Sequence, residues 1–332
     1  MEAAKQANEG RPVKFEADPR LTRGTRDFLK VLNSPVPPAL EKLSPIEARS
    51  VLVNAQAGVD VDYSGIVETE KLIDADGFSI RLNIVRPEGQ SGISPGFIFI
   101  HGGGWVLGDY PTHRRLVRDL VVESGYPAAF VNYTPTPDKV YPTQVNEIFA
   151  ATKWIAENGA EIGFDGGNLA VVGNSVGGNM TAVTAIKAIE NGGPQLKSLV
   201  MFWPLTDTDT KTESYQEFGT DRFLTKPLME WMFSLYATPD ELQNSYYISP
   251  LRAPDEVLSK FPPTLIQAGE SDILRSEDEA FGRRLDDLDV EVTTIRYNGM
   301  IHDFGLLNAL AGEPAVRSLI RHAAAELKIR LG

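Results

Sequence analysis

Apolar residues along this chain gather in short β-branched runs that alternate with longer stretches of helical period. The runs predict strands over 66–72, 80–86, 97–100, 128–133, 169–173, 199–203, 264–268 and 290–297. The longer stretches predict helices over 112–123, 143–157, 177–191, 276–288 and 313–331. The later strands are almost continuously apolar, as parallel strands covered on both faces should be. Alternation of this kind predicts an α/β fold with a mostly parallel sheet of about eight strands and helices on both faces. The first two strands have no helix between them and are expected to pair as an antiparallel hairpin at one edge.

Two regions break the alternation. Residues 1–60 carry two expected helices, over 20–32 and 45–57, before any strand. Residues 205–250 interrupt the later series with "FLTKPLMEWMFSLYATPDEL", which reads as helical and is rich in aromatic residues. Ligands of open α/β sheets bind at the carboxyl ends of the strands. An insertion after a strand therefore falls over that site, so residues 1–60 and 205–250 are expected to form a cap on a single domain spanning 1–332.

Composition narrows the function. The chain has 332 residues, 42% of them apolar, enough for a sizeable core, and no internal repeat or low-complexity segment. A net charge of −13 with no Lys/Arg-rich run argues against nucleic acid as a partner. The absence of cysteine excludes disulfides, thiolate metal sites and a thiol nucleophile. The N-terminal twenty residues are polar, and no apolar run reaches the ~18 residues of a membrane span, so a cytoplasmic protein is expected. A homodimer is compatible with the sequence.

Chemistry enters at two glycine-bounded strand ends. In "LAVVGNSVGGNMTAV" a buried strand runs into Gly173-Asn174-Ser175-Val176-Gly177 and a helix follows. This is G-x-S-x-G in the strand–turn–helix setting that exposes a serine hydroxyl above a sheet, with free N–H groups behind it. A serine needs a base. Of the four histidines, His322 sits mid-helix and is expected at the surface. His113 opens a helix beside two arginines and is expected to be solvated, while His101 ends a strand and shapes the loop after it. His302, in the loop between the last strand and last helix, is left as the base. The orienting acid is expected to be Asp272, in a loop after a buried strand. Glu270, at the strand end itself, is its rival, and Glu277 and Asp278 read as solvated helix charge. The order Ser175, Asp272, His302 is the one α/β-hydrolases use.

The second stretch, "FIFIHGGGWVLGDYP", sends a strand into His101-Gly102-Gly103-Gly104-Trp105. A tetrahedral oxyanion needs at least two N–H donors. Val176, after the nucleophile, supplies one, and a glycine loop whose backbone presses against the substrate supplies the rest. Neither stretch has the lysine-bearing phosphate loop or the dinucleotide glycine spacing.

On "HGGGW" at 101–105, "GNSVGG" at 173–178, Asp272-x-Leu274-Arg275 and "IHDF" at 301–304, the chain resembles the hormone-sensitive lipase-like branch of the α/β-hydrolases, the HGGG esterases. The segment "VNYTPTPDKVYPT", with Tyr133 and Pro142, fits as well. The resemblance implies an α/β-hydrolase fold, a cap, hydrolysis of small carboxylic esters through an acyl-enzyme, Gly103 and Gly104 as oxyanion donors, and neither cofactor nor metal. The chain departs from the family at Asn174 and Val176, where Asp and Ala are usual, at Thr134-Pro135, where Arg and Leu are usual, and at Asp303, where Gly is common. The aromatic 205–250 segment, closing with the N-terminal helices, is expected to bound an apolar pocket beside Ser175, and the bulkier Val176 to narrow the acyl site, which together predict short acyl chains. Two other readings stay open: an amidase or arylformamidase in which Trp105 stacks on an aromatic substrate, and a non-catalytic small-molecule receptor on the same fold.

Overall fold

The computed structural model describes residues 14–34 and 39–332. Its eight strands are β1 (Ile66–Ala75), β2 (Phe78–Pro87), β3 (Ser94–Ile100), β4 (Ala128–Asn132), β5 (Phe164–Asn174), β6 (Ser198–Phe202), β7 (Thr264–Gly269) and β8 (Val292–Tyr297). They form one sheet in the order β1-β2-β4-β3-β5-β6-β7-β8. β2 pairs antiparallel with both β1 and β4, and every other pairing is parallel. The expected edge hairpin is therefore present.

Among the described residues the α-helices are α1 (Arg23–Leu32), α2 (Pro45–Ala57), α3 (Tyr110–Ser124), α4 (Thr143–Asn158), α5 (Val176–Asn191), α6 (Glu213–Phe218), α7 (Lys226–Tyr236), α8 (Pro239–Asn244), α9 (Asp255–Leu258), α10 (Arg275–Asp287) and α11 (Pro314–Leu331). Their ends follow local chemistry. Ser44 caps α2 in a reciprocal box with Glu47, Asp109 caps α3 in another with Thr112, and Gly125 ends α3 in the left-handed region. No helix among the described residues is long and apolar enough to cross a membrane.

The core lies on both faces of the sheet. In β3, Ile98 and Ile100 pack into one apolar cluster, while Phe97 and Phe99 pack into the other. All four are fully buried, as the period of two requires when both faces are covered. β5 starts five residues earlier than its apolar run: Phe164 pairs with Ser94, and an irregularity in register separates that pair from Gly96 and Leu169.

Two helical segments lie over the carboxyl ends of the strands. α2 is fastened in part by buried Gln56, whose amide donates to the Thr112 and Leu306 carbonyls at 2.8 and 3.0 Å. Its carbonyl oxygen accepts the Asn308 N–H at 2.9 Å. The second segment, α6 to α8, meets the N-terminal segment through a charge cluster. Buried Asp18 accepts from Arg20 Nε at 2.8 Å and Arg222 Nη2 at 2.8 Å, and Arg20 also pairs with Glu217. The guanidiniums of Arg20, Arg222 and Arg275 surround the Phe218 ring at 4.9, 5.7 and 5.1 Å from its centroid. Residues 1–13 and 35–38 of the expected N-terminal part of the cap lie outside the described residues.

Candidate active site

Ser175 sits between the last residue of β5 and the first of α5, with φ 55° and ψ −123°. A non-glycine residue held there is strained, and the surroundings impose it. A Cβ on Gly177 would lie 2.1 Å from the Ile100 carbonyl oxygen, so only glycine lets α5 start this close to β3. His302 Nε2 lies 3.0 Å from Ser175 Oγ, and His302 Nδ1 lies 2.7 Å from Asp272 Oδ2. Asp272 Oδ1 accepts the Leu274 N–H at 2.9 Å. All three side chains are buried, on loops at the carboxyl ends of β5, β7 and β8. Burial disfavours the charged form of His302, but Asp272 and Asp303 outweigh it and hold the imidazole above its ordinary value.

Glu270 does other work. Its Oε2 accepts the Gly299 N–H at 2.8 Å and so braces the loop that carries His302. The structure thus brings Asp272, not Glu270, to the histidine.

The glycine loop after β3 runs alongside. Gly103 and Gly104 have φ of 108° and 62°. A Cβ on Gly104 would lie 1.9 Å from Met232 Sδ, so α7 closes directly onto the loop backbone. Val176 is the first residue of α5, where an N–H has no intrahelical acceptor. His101 stacks on Tyr133 with centroids 4.1 Å apart and rings 9° from parallel, and Tyr133 Oη donates to the His101 carbonyl at 3.0 Å. Burial pushes the His101 pKa down to about 4, so this ring is a neutral brace for the loop.

A cavity of about 460 Å³ opens beside Ser175, Gly103, Gly104 and His302. Its walls are apolar and come from both helical segments: Phe28, Leu32 and Leu52 from one, Phe223, Leu228, Met229 and Met232 from the other.

Four expectations are corrected. His113 is fully buried and its pKa lies well below the ordinary value, chiefly by burial. Its ring packs near His101 and Phe130 rather than facing water. Glu277 and Asp278 are also buried, and burial raises both carboxyls well above their ordinary values. Glu277 Oε1 accepts the Thr206 and Asp207 N–H groups at 2.8 and 3.2 Å, fixing the start of the second helical segment to α10. The Val176 side chain packs in the core and is not among the residues lining the cavity, so it does not narrow it. Trp105 is fully buried and stacked on Tyr236 of α7, centroids 3.8 Å apart and rings 4° from parallel, which leaves its ring no face for a substrate. No sequence pattern announced these four, because their surroundings come from residues distant in the chain. His322 is exposed, as expected.

A serine on a strained turn, a histidine–carboxylate pair within hydrogen-bond reach and a parallel sheet of this order define a serine hydrolase of the α/β-hydrolase class. Comparison with known proteins agrees. A family model described as alpha/beta hydrolase fold matches residues 97–306. An α/β hydrolase of Acanthamoeba polyphaga mimivirus is 36% identical over 287 residues, 86% of this chain and 82% of its own. An ethyl acetate hydrolase of Pseudomonas putida is 29% identical over 299 residues, 89% and 92% of the two chains. The crystal structure of a thermostable esterase from Pseudomonas putida superposes with a TM-score of 0.94 at 51% identity, covering 95% of this chain and 99% of that one. The chain belongs to the hormone-sensitive lipase-like family of α/β-hydrolases, and its activity is carboxylic ester hydrolysis.

Proposed function

We propose that this esterase uses Ser175 as nucleophile, His302 as base and Asp272 as orienting acid, and that it acts on esters with short acyl chains. The observation that carries the reading is the unbroken chain of contacts from Ser175 Oγ through His302 to Asp272, at the floor of a bounded apolar cavity. Ser175 Oγ attacks the ester carbonyl carbon while His302 Nε2 takes its proton, and Asp272 stabilises the imidazolium. The N–H groups of Gly103, Gly104 and Val176 receive the oxyanion. The carbonyl carbon–alkoxy oxygen bond then breaks, and His302 returns the proton to the departing alcohol. Water, deprotonated by His302, attacks the acyl-serine and releases the acid.

The N-terminal helices and the 205–250 segment act as a cap that bounds the substrate. Each methylene buried in the cavity is worth about 0.8 kcal/mol, but only until the space is filled. The naming of a similar Pseudomonas putida enzyme as an ethyl acetate hydrolase supports a short acyl group.

The test is a panel of acyl esters of graded length on the purified protein, with fluorophosphonate labelling of wild type and Ser175→Ala. Stoichiometric labelling lost in Ser175→Ala, with kcat/KM falling steeply for long chains, is expected. Activity retained in Ser175→Ala refutes the nucleophile, and preference for long-chain triglycerides refutes the bounded pocket.

A further inference from the structure

Two polar side chains that flank the serine and the histidine lie side by side. Asn174 immediately precedes the proposed nucleophile, and Asp303 immediately follows the proposed base. They are 129 residues apart in sequence, yet Asn174 Nδ2 donates to Asp303 Oδ1 at 3.1 Å. The Trp203 indole N–H donates to the same oxygen at 2.7 Å. On its other side, Asn174 Oδ1 accepts the Gly102 N–H at 3.0 Å, which ties the elbow to the glycine loop. The free oxygen of the carboxylate, Asp303 Oδ2, lies 4.0 Å from His302 Nε2, the nitrogen that faces Ser175.

We propose that Asn174 and Asp303 are a coupled pair of positioning residues. Asp303 serves as a second anionic partner for the His302 imidazolium, and Asn174 is the elbow side chain that lets this carboxylate and a fastened glycine loop coexist. The inference rests on the roles assigned above to Ser175 and His302.

The argument is one of donors and acceptors. An amide offers both, so Asn174 can accept from Gly102 and donate to Asp303 at once. An ionised aspartate offers only acceptors. At position 174 it would still hold Gly102, but its second oxygen would face Asp303 at hydrogen-bond distance. Two carboxylates that close cannot both ionise. Conversely, an asparagine at 174 facing glycine at 303 would leave its buried N–H₂ unpaired, as it would the Trp203 N–H, and each such loss costs. The asparagine–aspartate combination pairs both buried donors without setting two carboxylates against each other, and changing either member alone gives up one of these. The charged and titratable groups facing Asp303 are His302 and Asp272. His113, on α3, neighbours Asn174 and is kept neutral by burial. Burial pushes the Asp303 carboxyl up, and His302 with the two donors opposes it.

The experiment compares wild type, Asn174→Asp, Asp303→Gly, Asp303→Asn and Asn174→Asp/Asp303→Gly as purified full-length proteins on one short-chain ester. It records kcat, KM, the pH profile of kcat/KM, the unfolding midpoint and fluorophosphonate stoichiometry. Asn174→Asp is expected to lower kcat by about tenfold or more with KM little changed, because one of the paired carboxyls must take up a proton. Adding Asp303→Gly should recover most of that loss. Asp303→Asn keeps the acceptor for Trp203 and Asn174 and removes only the charge. Its acid limb should move to lower pH by about half a unit or more, since His302 loses an anion close to its ring. A merely structural role would not move that limb.

A double variant no better than the product of the two single losses overturns the coupling. An acid limb unmoved in Asp303→Asn overturns the electrostatic role. Should Asn174→Asp fail to fold while the double variant folds, the coupling is supported, and if neither folds, the Asp303→Asn profile decides. Full activity in Ser175→Ala would instead overturn the nucleophile assignment itself, a result separable from every outcome above.

Discussion

In the proposed mechanism His302 must be neutral to accept the Ser175 proton, so the pH at which it loses its own proton sets the acid limb of kcat/KM. Asp272 at 2.7 Å and Asp303 at 4.0 Å raise it against the opposing effect of burial. The limb is therefore expected to centre above the ordinary imidazole value of about 6.5, with a plateau on the alkaline side. A stopped or initial-rate pH series measures it, and a rate that climbs steadily towards acid contradicts a histidine base. The same geometry separates the two candidate acids. Asp272→Asn should lower kcat by roughly 10³–10⁴, because the imidazole loses its orientation and counter-charge. Glu270→Gln keeps an acceptor for the Gly299 N–H and should cost less than about tenfold, as only a brace for the histidine loop is altered. At this scale the three side chains proposed as nucleophile, base and acid could be picked out from the sequence as a residue type at a strand end, and the structure places them in contact. Glu277, Asp278 and His113 were not. Their helical spacing looks like that of solvated charge, and only contacts from far along the chain, such as the Thr206 N–H on Glu277, reveal burial.

The inner strands β3, β4, β6 and β7 were readable as apolar runs because both faces are covered, and the helices because their buried stripes recur with a regular period. What the pattern could not show is how the helical segments are fastened. Asp18 has no apolar or periodic signal, yet it is buried between Arg20 and Arg222 and joins the N-terminal segment to the residues before α7. Burial raises its pKa and the hydrogen bonds from Arg20 lower it; the net effect is a pKa below the ordinary value. The stabilisation from this group is thus present above the unfolded carboxylate pKa of about 3.9 and is lost as pH falls through the lower folded value. Asp18→Ala leaves Arg222 in a buried place without this carboxylate, and breaking a buried pair in this way costs about 3–5 kcal/mol. A clear drop in the unfolding midpoint at neutral pH is expected, with the gap between variant and wild type narrowing below pH 4. An unchanged midpoint would mean that the cluster holds nothing together.

For the molecule as a whole, the N-terminal helical segment and the rest of the chain share buried polar groups that pair across them. Gln56 meets the Thr112 and Leu306 carbonyls and the Asn308 N–H in the interior. Removal of residues 1–60 should therefore lower stability and activity together rather than produce an open, competent enzyme. Unfolding midpoints and the ester panel on both lengths of protein test this, and a truncated form with the full-length chain-length profile refutes it. Global stability also carries an alkaline cost from Asp278. Its buried carboxyl is raised mainly by burial, with Asp272 and Glu277 adding to it, so the folded state holds a proton that the unfolded chain releases. Stability from this group falls as pH rises from the unfolded value of about 3.9 towards the folded one. Asp278→Asn should remove that dependence, and the midpoint of the variant should gain on wild type as pH is raised. The pressure of Met232 on the Gly104 backbone and the stack of Tyr236 on Trp105 have a practical corollary for anyone reshaping this catalyst. Libraries that randomise α7 to admit bulkier acids should freeze positions 232 and 236 and diversify 228 and 229, because survivors altered at the first pair will have traded turnover for room.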